Sequence, residues 1–532
     1  MIWALPLVPA LAGLAVWAMG DGSRLRSGAP AMLALAATLG LALAAGDWTG
    51  SHGWSEALTL RAGLTPLAQL VAVTVPAVAF AVVTFAAGHE EGAGLARLIG
   101  LLLVFVGGME LVLLAGDLLT LLIGWELMGA CSWALIAHRW RRAAPVLSAN
   151  YAFVMTRAGG LGLVLALVAV HAQTARLDYG ALAQVQGPAL WLAAFGLLVA
   201  AAAKAGQVPF APWLFRAMDG PTSVSALLHS ATMVAAGAYI LARLQPELAR
   251  APGFGAALVA VGLATALAGG VVALREVHAK RVLAGSTSAQ MGLSIAATGA
   301  GHPGVAVIHL VVHAVVKAPL FFAAGIAHGA SGSFDLRAMR LGRALPWTAG
   351  LGAIAALALG GVPPLPGGWS KEEIVKALGE AGPWPGVAAM AAGGLSAAYA
   401  ARFACLAFWP GDPDRAGGPN PSDGPERADG PKQADGTERA DGPERATRAA
   451  LGGLALVTAL ASALWWPPAH AALAQALGIA LPQGPPIEMA ASLALVALGL
   501  LAGLALARHP LAPPRRRWLG LEPLIDAAIV RP

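Results

Sequence analysis

Three ionisable residues follow one another at four-residue intervals inside an apolar stretch, in the segment HLVVHAVVKAPLFFAAG. They are His309, His313 and Lys317. Four residues turn an α-helix by about 400°, so the three side chains share one face and form a polar stripe about 12 Å long. Imidazole gains and loses a proton near neutral pH. The spacing therefore predicts a ladder along which a proton moves.

Four other apolar segments also carry ionisable residues. A charge near the bilayer centre costs roughly 2.5–3.5 kcal/mol even on the lenient insertion scale, so several of them favour a transport pathway. These residues are Glu126, Lys204, His229, Lys371 and Glu372. The alternative for His229 is a packing hydrogen bond. The alternative for Lys371 is a helix end from which the amine reaches the membrane interface.

We interpret Glu126 and Lys204 as a pair that loads and releases a proton. Desolvation disfavours the charged form of a lysine, and a nearby carboxylate favours it. At a separation of about 7 Å and an effective dielectric of about 20, the attraction is worth about 2.4 kcal/mol. Movement of the carboxylate toward or away from the amine would therefore load or eject a proton.

Two apolar segments are interrupted by prolines in the same way. KAGQVPFAPW contains Pro209 and Pro212, and GGVPPLPGGWSK contains Pro363 and Pro364. Broken helices at corresponding places in two halves indicate an internal repeat and an ion site near the bilayer midplane. The freed backbone groups need protein or water partners, which predicts a hydrated cavity. Two ordinary proline kinks are the alternative.

The whole chain is apolar. Of its 532 residues 58% are hydrophobic and only 12% are charged, and the mean hydropathy is +0.69. Soluble domains carry roughly a quarter charged residues. Since about 20 apolar residues cross a bilayer, the sequence predicts an all-α polytopic membrane protein with about 14 or 15 transmembrane helices. The first segment, MIWALPLVPALAGLAVWAMG, lacks the basic stretch of a secretory signal and is expected to remain as the first span.

Arginine and lysine are concentrated in alternate loops. The positive-inside rule therefore places the N-terminus outside and the C-terminal RRRW in the cytoplasm. We expect the protein to lie in a bacterial inner membrane. One insertion, DGPERADGPKQADGTERADGPERA, repeats an Asp-Gly step every six residues from Asp423. Such steps break regular structure, so residues 411–448 are predicted to form a disordered cytoplasmic loop.

The sequence contains no motif for a resident cofactor. Its two cysteines, Cys131 and Cys405, are far apart, and no CxxC, Walker, dinucleotide-binding or HExxH pattern occurs. We therefore expect the chain to bind no cofactor and no metal, and we expect no nucleic-acid partner. Any redox chemistry is expected to belong to partner subunits.

Four long segments carry a resemblance to a known family: WLFRAMDGPTSVSALLHSATMVAAGAYILAR, KRVLAGSTSAQMGL, HLVVHAVVKAPLFFAAG and GGVPPLPGGWSKEEI. In this order they resemble the antiporter-like subunit 5 (subunit L) of respiratory complex I. The wider family includes cation/proton antiporter subunits, and the similarity covers roughly residues 60–410. The resemblance implies two inverted five-helix repeats, each with a proline-broken helix and a proton half-channel, joined by a central polar axis.

The resemblance also implies a division of the chain. The regions are N-terminal helices at 1–90, a first repeat at 91–250, a second at 251–410, the loop at 411–448, and C-terminal helices with a short tail at 449–532. It implies proton-carrying roles for the residues chosen above. They are Glu126, Lys204, His229, His309, His313, Lys317, Lys371 and Glu372, the last standing where the family often has Asp.

Two departures from the family pattern stand out. Gly160 occupies a position that is usually acidic, although Arg157 is kept. The family's long lateral helix is expected to be absent after RRRWLGLEPLIDAAIVRP.

The favoured function is a proton-translocating membrane subunit of an NADH–quinone oxidoreductase, with NADH and quinone used by partner membrane-complex subunits. One alternative is a subunit of a cation/proton antiporter or an ion-coupled uptake complex. Another is a membrane scaffold whose proton path is inactive.

Overall fold

The protein is a bundle of apolar helices. The computed structural model describes residues 1–55, 58–90, 92–340, 342–409, 441–509, 517–525 and 527. Within these residues twelve helices are long and apolar enough to cross a membrane, and two shorter apolar helices accompany them. The prediction of an all-α polytopic membrane protein is confirmed.

The first half of the bundle contains the first predicted break. Its helices are α1 (Ala4–Ala18), α2 (Arg24–Ala44), α3 (Pro66–His89), α4 (Leu95–Leu114), α5 (Leu118–Ile136), α6 (Ala143–Thr174), α7 (Tyr179–Leu182), α8 (Gly187–Lys204), α9 (Pro212–Arg216), α10 (Thr222–Ser230) and α11 (Met233–Leu248). Short 3-10 turns follow α5 and α9, at Ala137–Arg139 and Ala217–Asp219.

The second half contains the histidine stripe and the second break. Its helices are α12 (Phe254–Arg275), α13 (Ala279–Gly299), α14 (Pro303–Ser331), α15 (Leu336–Met339), α16 (Pro346–Gly360), α17 (Pro366–Ala381), α18 (Pro383–Phe408), α19 (Asp441–Leu460), α20 (Pro467–Leu477), α21 (Pro486–Arg508) and α22 (Leu521–Ile525). Further 3-10 turns lie at Ala461–Trp465 and Arg517–Gly520.

A small hairpin between α2 and α3 was not predicted. β1 (Thr49–Gly53) pairs antiparallel with β2 (Thr59–Gly63). Most of its residues are exposed, so no alternation of apolar and polar residues marks it in the sequence.

The loops gather into two sets that define the two faces of the bundle. At the face where the N-terminus lies, the backbones of Asp117 and Asp178 form an isolated β-bridge. At the opposite face the backbones of His278 and Asp335 form another. The N-terminal face carries the loops at 45–55, 115–117, 175–186, 249–253, 300–302 and 461–485. The opposite face carries those at 19–23, 92–94, 137–142, 217–221, 276–278 and 332–340.

Facing glycines bring neighbouring helices close together. A Cβ added to Gly162 of α6 would stand 2.1 Å from the carbonyl oxygen of Gly196 of α8. A Cβ added to Gly499 of α21 would stand 2.0 Å from the carbonyl oxygen of Gly394 of α18. Small residues at membrane helix interfaces permit this approach, and van der Waals packing then holds the pair.

The predicted disordered loop at 411–448 lies outside the described residues up to position 440. The structure begins α19 at Asp441, so the last part of that segment is helical. Glu444 and Arg448 form an i,i+4 ion pair there, a pair type that stabilises a solvated helix end.

A C-terminal helix, α19, supplies a hydrogen-bond donor to the helix that carries the histidine stripe. Pro319 of α14 has no N–H, so it cannot donate to the carbonyl of Val315 four residues earlier. The hydroxyl of Thr458, on α19, lies 2.8 Å from that carbonyl and 2.8 Å from the carbonyl of Leu454 in its own helix, so its proton is shared between the two. The kink-prone turn of α14 is therefore stabilised by a side chain from another helix.

Candidate functional site

The first helix break begins directly after Lys204. Gly206 adopts φ 59°, a left-handed conformation that glycine takes without steric cost. The amide of Gln207 donates to the carbonyl of Ala202 at 2.8 Å, and the amide of Gly206 donates to Ala203 at 3.4 Å. These two hydrogen bonds form a Schellman motif, which ends a helix with its last carbonyl groups hydrogen-bonded.

The backbone that the first break frees is satisfied by buried side chains. Pro209 has no N–H to offer the carbonyl of Ala205, and Gln207 Nε2 donates to that carbonyl at 3.0 Å. The hydroxyl of Ser288, on α13, donates to the carbonyl of Gly206. Both halves of the bundle therefore contribute to this break.

The second break repeats the design of the first. Gly361 adopts φ 83°, the amide of Val362 donates to Leu357 at 3.1 Å, and the amide of Gly361 donates to Ala358 at 3.1 Å. This is again a Schellman motif. The chain runs from the N-terminal face in α8 and from the opposite face in α16, so the two breaks are approached from opposite sides.

Lys371 closes the second break. Pro363 has no N–H for the carbonyl of Leu359, and the amine of Lys371 donates to that carbonyl. The indole of Trp369 donates to the carbonyl of Pro364 at 3.0 Å. Lys371 is buried, so its amine lies inside the bundle and not at the membrane interface, which was its alternative placement.

A third interruption, which the sequence did not indicate, separates α10 from α11. α10 ends at Ser230 and α11 begins at Met233. The carbonyl of Ser230 accepts a hydrogen bond from His313 Nδ1 at 3.2 Å, and the hydroxyl of Thr232 donates to Leu227 at 2.8 Å. The break thus supplies a backbone acceptor to the histidine stripe.

The stripe on α14 contacts a different helix at each position. His309 Nδ1 lies 3.1 Å from the hydroxyl of Ser370 on α17, and the amine of Lys317 donates to the hydroxyl of Ser286 on α13. His309, His313 and Lys317 are all buried. Among the described residues, the Nε2 atoms of His309 and His313 have no hydrogen-bond partner in the protein. These ring atoms are therefore available to exchange a proton.

His229 lies one residue before the carbonyl that His313 binds. Its ring stacks between Trp213 and Phe321, with centroid distances of 6.0 and 5.9 Å. Neither ring nitrogen meets a hydrogen-bond partner in the part of the chain that the structure describes. The packing hydrogen bond that was its alternative role is therefore not seen in the described residues.

The first-half charges gather beside α5. The amine of Lys204 donates to the carbonyl of Trp125 at 2.9 Å and lies 4.6 Å from the centre of the same indole ring. Glu126 forms an ion pair with Arg157 of α6. Arg157 is a residue that the sequence analysis noted but did not assign to the site. The ion pair with Glu126 makes Arg157 a candidate site residue, and the spacing of residues in the sequence does not predict that contact.

The second-half carboxylates point to different neighbours. Glu372 is buried, and within the described residues its Oε1 has no hydrogen-bond partner. The next residue, Glu373, was not predicted as a site residue, yet it is also buried and binds Trp465 and His470 from the C-terminal region. Glu373 was missed because its partners lie about a hundred residues away in sequence.

The structure therefore places the predicted residues in two groups. Ser370, the residue before Lys371, links α17 with His309, and His313 links α14 to the end of α10 beside His229. Lys204 and Glu126 lie at the end of α8 and on α5. Within the described residues, no group of three His, Cys, Asp or Glu side chains could hold a metal ion.

The comparisons with known proteins agree with this geometry. The family described as NADH:quinone oxidoreductase/Mrp antiporter, TM matches residues 115–396. That range includes both helix breaks and the whole histidine stripe.

Curated relatives are named as subunits of quinone oxidoreductases. The chain is 33% identical to the NAD(P)H-quinone oxidoreductase chain 5 of Synechocystis over 64% of its own length and 53% of that protein. It is 37% identical to the NADH-quinone oxidoreductase subunit L of Mycobacterium tuberculosis over 59% of its length and 51% of that protein. The chain therefore spans about half the length of these two relatives.

Solved structures share the fold over nearly the whole chain. A chain of the Mrp complex from Dietzia sp. matches with a TM-score of 0.81 at 28% identity. The match covers 99% of this chain and 59% of the Mrp chain. A chain of the membrane-bound sulfane sulfur reductase, an archaeal respiratory membrane complex, has a TM-score of 0.73 at 20% identity, which shows the fold alone.

Proposed function

Because this chain belongs to the NADH:quinone oxidoreductase/Mrp antiporter family of membrane proteins, we propose that it is a proton-translocating subunit of a complex related to NADH–quinone oxidoreductase. Quinone reduction in partner subunits would drive changes in charge pairing along the buried residues. The chain itself would bind no flavin, cluster or nucleotide, and NADH and quinone would be used by its partners. Its other neighbours would be membrane subunits of the same complex and lipid.

The observation that carries the proposal is the set of contacts made by α14. His309 reaches α17 through Ser370, His313 reaches the interrupted end of α10, and Lys317 reaches α13. Buried polar groups of this kind are costly unless partnered, and in membranes they mark ion or proton paths. These contacts support a path in which α14 would carry protons between the two halves of the bundle.

Each group would act by holding and passing one proton. Lys204 would gain or lose its proton as Glu126 changes partner, and His229 would pass it toward His313. His309 and Lys317 would continue the path along α14 toward the second break. Lys371 and Glu372, on α17 after the second break, would then hold the proton at the end of this path.

The arrangement of the chain in the membrane follows from the same proposal. Residues 91–250 and 251–410 would form two antiporter-like repeats of inverted orientation, flanked by helices at 1–90 and 449–532. The matched Schellman motifs at Gly206 and Gly361 support this, because α8 and α16 reach them from opposite faces. The positive-inside rule then places the N-terminal face outside and the opposite face in the cytoplasm of a bacterial cell.

A subunit of a cation/proton antiporter or ion-coupled uptake complex is the second candidate. The observation that favours it is the Mrp complex structure, which covers 99% of this chain. The two functions differ in their partners and in the coupling ion. Purification in mild detergent distinguishes them: subunits with bound redox cofactors support the first, and small antiporter subunits support the second.

The test of translocation is a substitution of Lys317 in the intact complex. Lys317→Met should lower the number of protons moved per turnover, measured with a pH-sensitive dye in sealed membrane vesicles, while the complex still assembles. Arg26→Gln changes an exposed cation and is the control. Full proton movement in Lys317→Met vesicles would instead favour the scaffold with an inactive path.

A further inference from the structure

Glu373 is a buried carboxylate with partners from outside the family's matched range. Its Oε1 accepts a hydrogen bond from the indole of Trp465 at 2.8 Å and lies 2.7 Å from His470 Nε2. The ring of His470 stacks on Trp465 with centroids 5.8 Å apart. Both partners lie beyond residue 396, where the family match ends.

The carboxylate lies about one helical turn from Ser370, the residue of α17 that contacts the histidine stripe. Ser370, which binds His309, and Glu373 are three residues apart on α17, so they occupy the same side of that helix about 4.5 Å apart along its axis. The direction from Ser370 to Glu373 leads toward the N-terminal face. Glu373 is therefore the next carboxylate on this side of α17.

Exposure rises along α17 in that direction. Ser370, Lys371 and Glu373 are buried, Lys376 is half-buried, and Glu380 at the end is exposed. His470 belongs to α20, in the 461–485 segment at the N-terminal face, and its side chain is 15% exposed against 9% for Glu373. The pair therefore joins α17 to a segment at that face.

The pair also has a free atom on each side. Among the described residues, Glu373 Oε2 and His470 Nδ1 are buried atoms without a hydrogen-bond partner, while Oε1 and Nε2 form the hydrogen bond between the two side chains. A carboxylate can bind a proton on one oxygen while its other oxygen is hydrogen-bonded. An imidazole can take a proton on one nitrogen and lose one from the other.

We propose that Glu373 and His470 form the proton-release relay between the buried axis and the N-terminal face. In the starting state the shared proton lies on Glu373 Oε1 and the ring proton on His470 Nδ1, so both groups are neutral. A proton from the axis binds Glu373 Oε2, the shared proton moves to His470 Nε2, and the ring releases its Nδ1 proton to water that enters from the N-terminal face. One proton enters and one leaves, both groups stay neutral, and rotation of the carboxyl group and of the ring restores the starting arrangement. This relay rests on the proposed function and adds residues from α17 and α20 to it.

A packing role is the simpler explanation of the same contacts. A pair that only fastens α20 to α17 would not respond to a small diffusible proton carrier. A relay would, because free imidazole can replace the missing ring.

The experiment uses the intact complex reconstituted in liposomes, with proton movement followed during turnover. His470→Ala and Glu373→Gln should each lower translocation by about tenfold or more, a size typical of lost acid–base groups. Imidazole added on the N-terminal side should restore His470→Ala and leave Glu373→Gln unchanged. Loss of translocation without any imidazole response would overturn the relay.

Two further variants keep the test decisive. If His470→Ala fails to assemble, His470→Gln retains a hydrogen-bond donor for Glu373 but carries no proton, and it should show the same loss. His302→Gln is the matched control, since the side chain of His302 is 14% exposed and bonds Glu380 at 2.8 Å at the same face. It should translocate normally.

Comparison with Lys317→Met separates the two proposals. If Lys317→Met loses translocation while His470→Ala and His470→Gln keep it, the relay is wrong and the proposed function stands. If Lys317→Met itself translocates normally, the proposed function fails and the relay fails with it.

Discussion

The carboxylate of Glu126 forms its ion pair with Arg157, while the amine of Lys204 binds the carbonyl of Trp125 one residue away. Arg157 lies near the middle of α6, and its side chain is 51% exposed, against 27% for Glu126. The ion pair therefore lies toward the side of the bundle, and Lys204 lies inside it. We infer that Arg157 competes with Lys204 for the carboxylate and sets how readily Lys204 holds its proton.

Replacement of Arg157 tests this competition. Arg157→Gln should free Glu126 to stabilise the charged form of Lys204, so proton release should slow and translocation should fall by about tenfold, equivalent to about 1.4 kcal/mol. The measurement is proton movement per turnover in sealed vesicles. Arg176→Gln is the matched control, because Arg176 has the same 51% exposure and pairs with Asp178 at the N-terminal face. Equal translocation in both variants would contradict the competition.

His229 offers a direct separation of packing from proton transfer. His229→Phe keeps an aromatic ring between Trp213 and Phe321 but removes both nitrogens. We expect thermal stability in detergent to change little and translocation to fall. The complementary variant, His229→Ala, should lose stability as well, because it empties the stack. A fully active His229→Phe would assign this residue to packing alone.

The bond between Thr458 and Val315 predicts a stability effect. Thr458→Val keeps the shape of the side chain but leaves the carbonyl opposite Pro319 without its donor, which should cost about 1–3 kcal/mol of unfolding free energy. Thr84→Val is the control, since Thr84 donates to Phe80 within its own helix, where the carbonyl keeps its backbone donor. Thermal unfolding in detergent should show a lower midpoint for Thr458→Val only.

Glu90 predicts a pH-dependent contribution to stability. It follows α3 and accepts hydrogen bonds from the amide and hydroxyl of Ser223, in the first turn of α10, at 3.0 and 2.8 Å. Burial alone raises the pKa of the Glu90 carboxyl, but the adjacent His89 and the two bonds from Ser223 outweigh it, so this pKa lies below its ordinary value. A lowered pKa means that the folded state favours the charged form.

The sign of the pH effect follows. Glu90 stabilises the fold fully above the carboxyl pKa of the unfolded chain, about 4.3, and this contribution is lost as pH falls through its lower folded value. Glu90→Gln should therefore lower the unfolding midpoint at pH 7, and its difference from the natural protein should shrink only as the pH falls below about 4. Glu444→Gln, an exposed pair member, should show neither effect.

The helix breaks could be predicted because proline acts locally. Pro209 and Pro363 each remove an N–H, and this loss is visible in the sequence without knowledge of the fold. The stripe of His309, His313 and Lys317 was predictable for a similar reason, since helical periodicity fixes their common face.

The contacts that complete the site were not predictable in this way. The interruption at Ser230 contains neither proline nor glycine. The carbonyl that it frees accepts a hydrogen bond from His313 of α14. The pairing of Glu126 with Arg157 and of Glu373 with His470 depends on which helices pack together. Sequence spacing places a residue on a face of its own helix but does not identify the neighbouring helix.

The hydroxyl that completes α14 also sets an order for biosynthesis. Thr458 follows Val315 by 143 residues, so the ribosome makes the donor long after the acceptor has entered the lipid. Until then the carbonyl of Val315, two residues before Lys317, lacks the donor that Thr458 supplies in the complete fold. The helix that carries His309, His313 and Lys317 therefore acquires this bond only after α19 has been inserted.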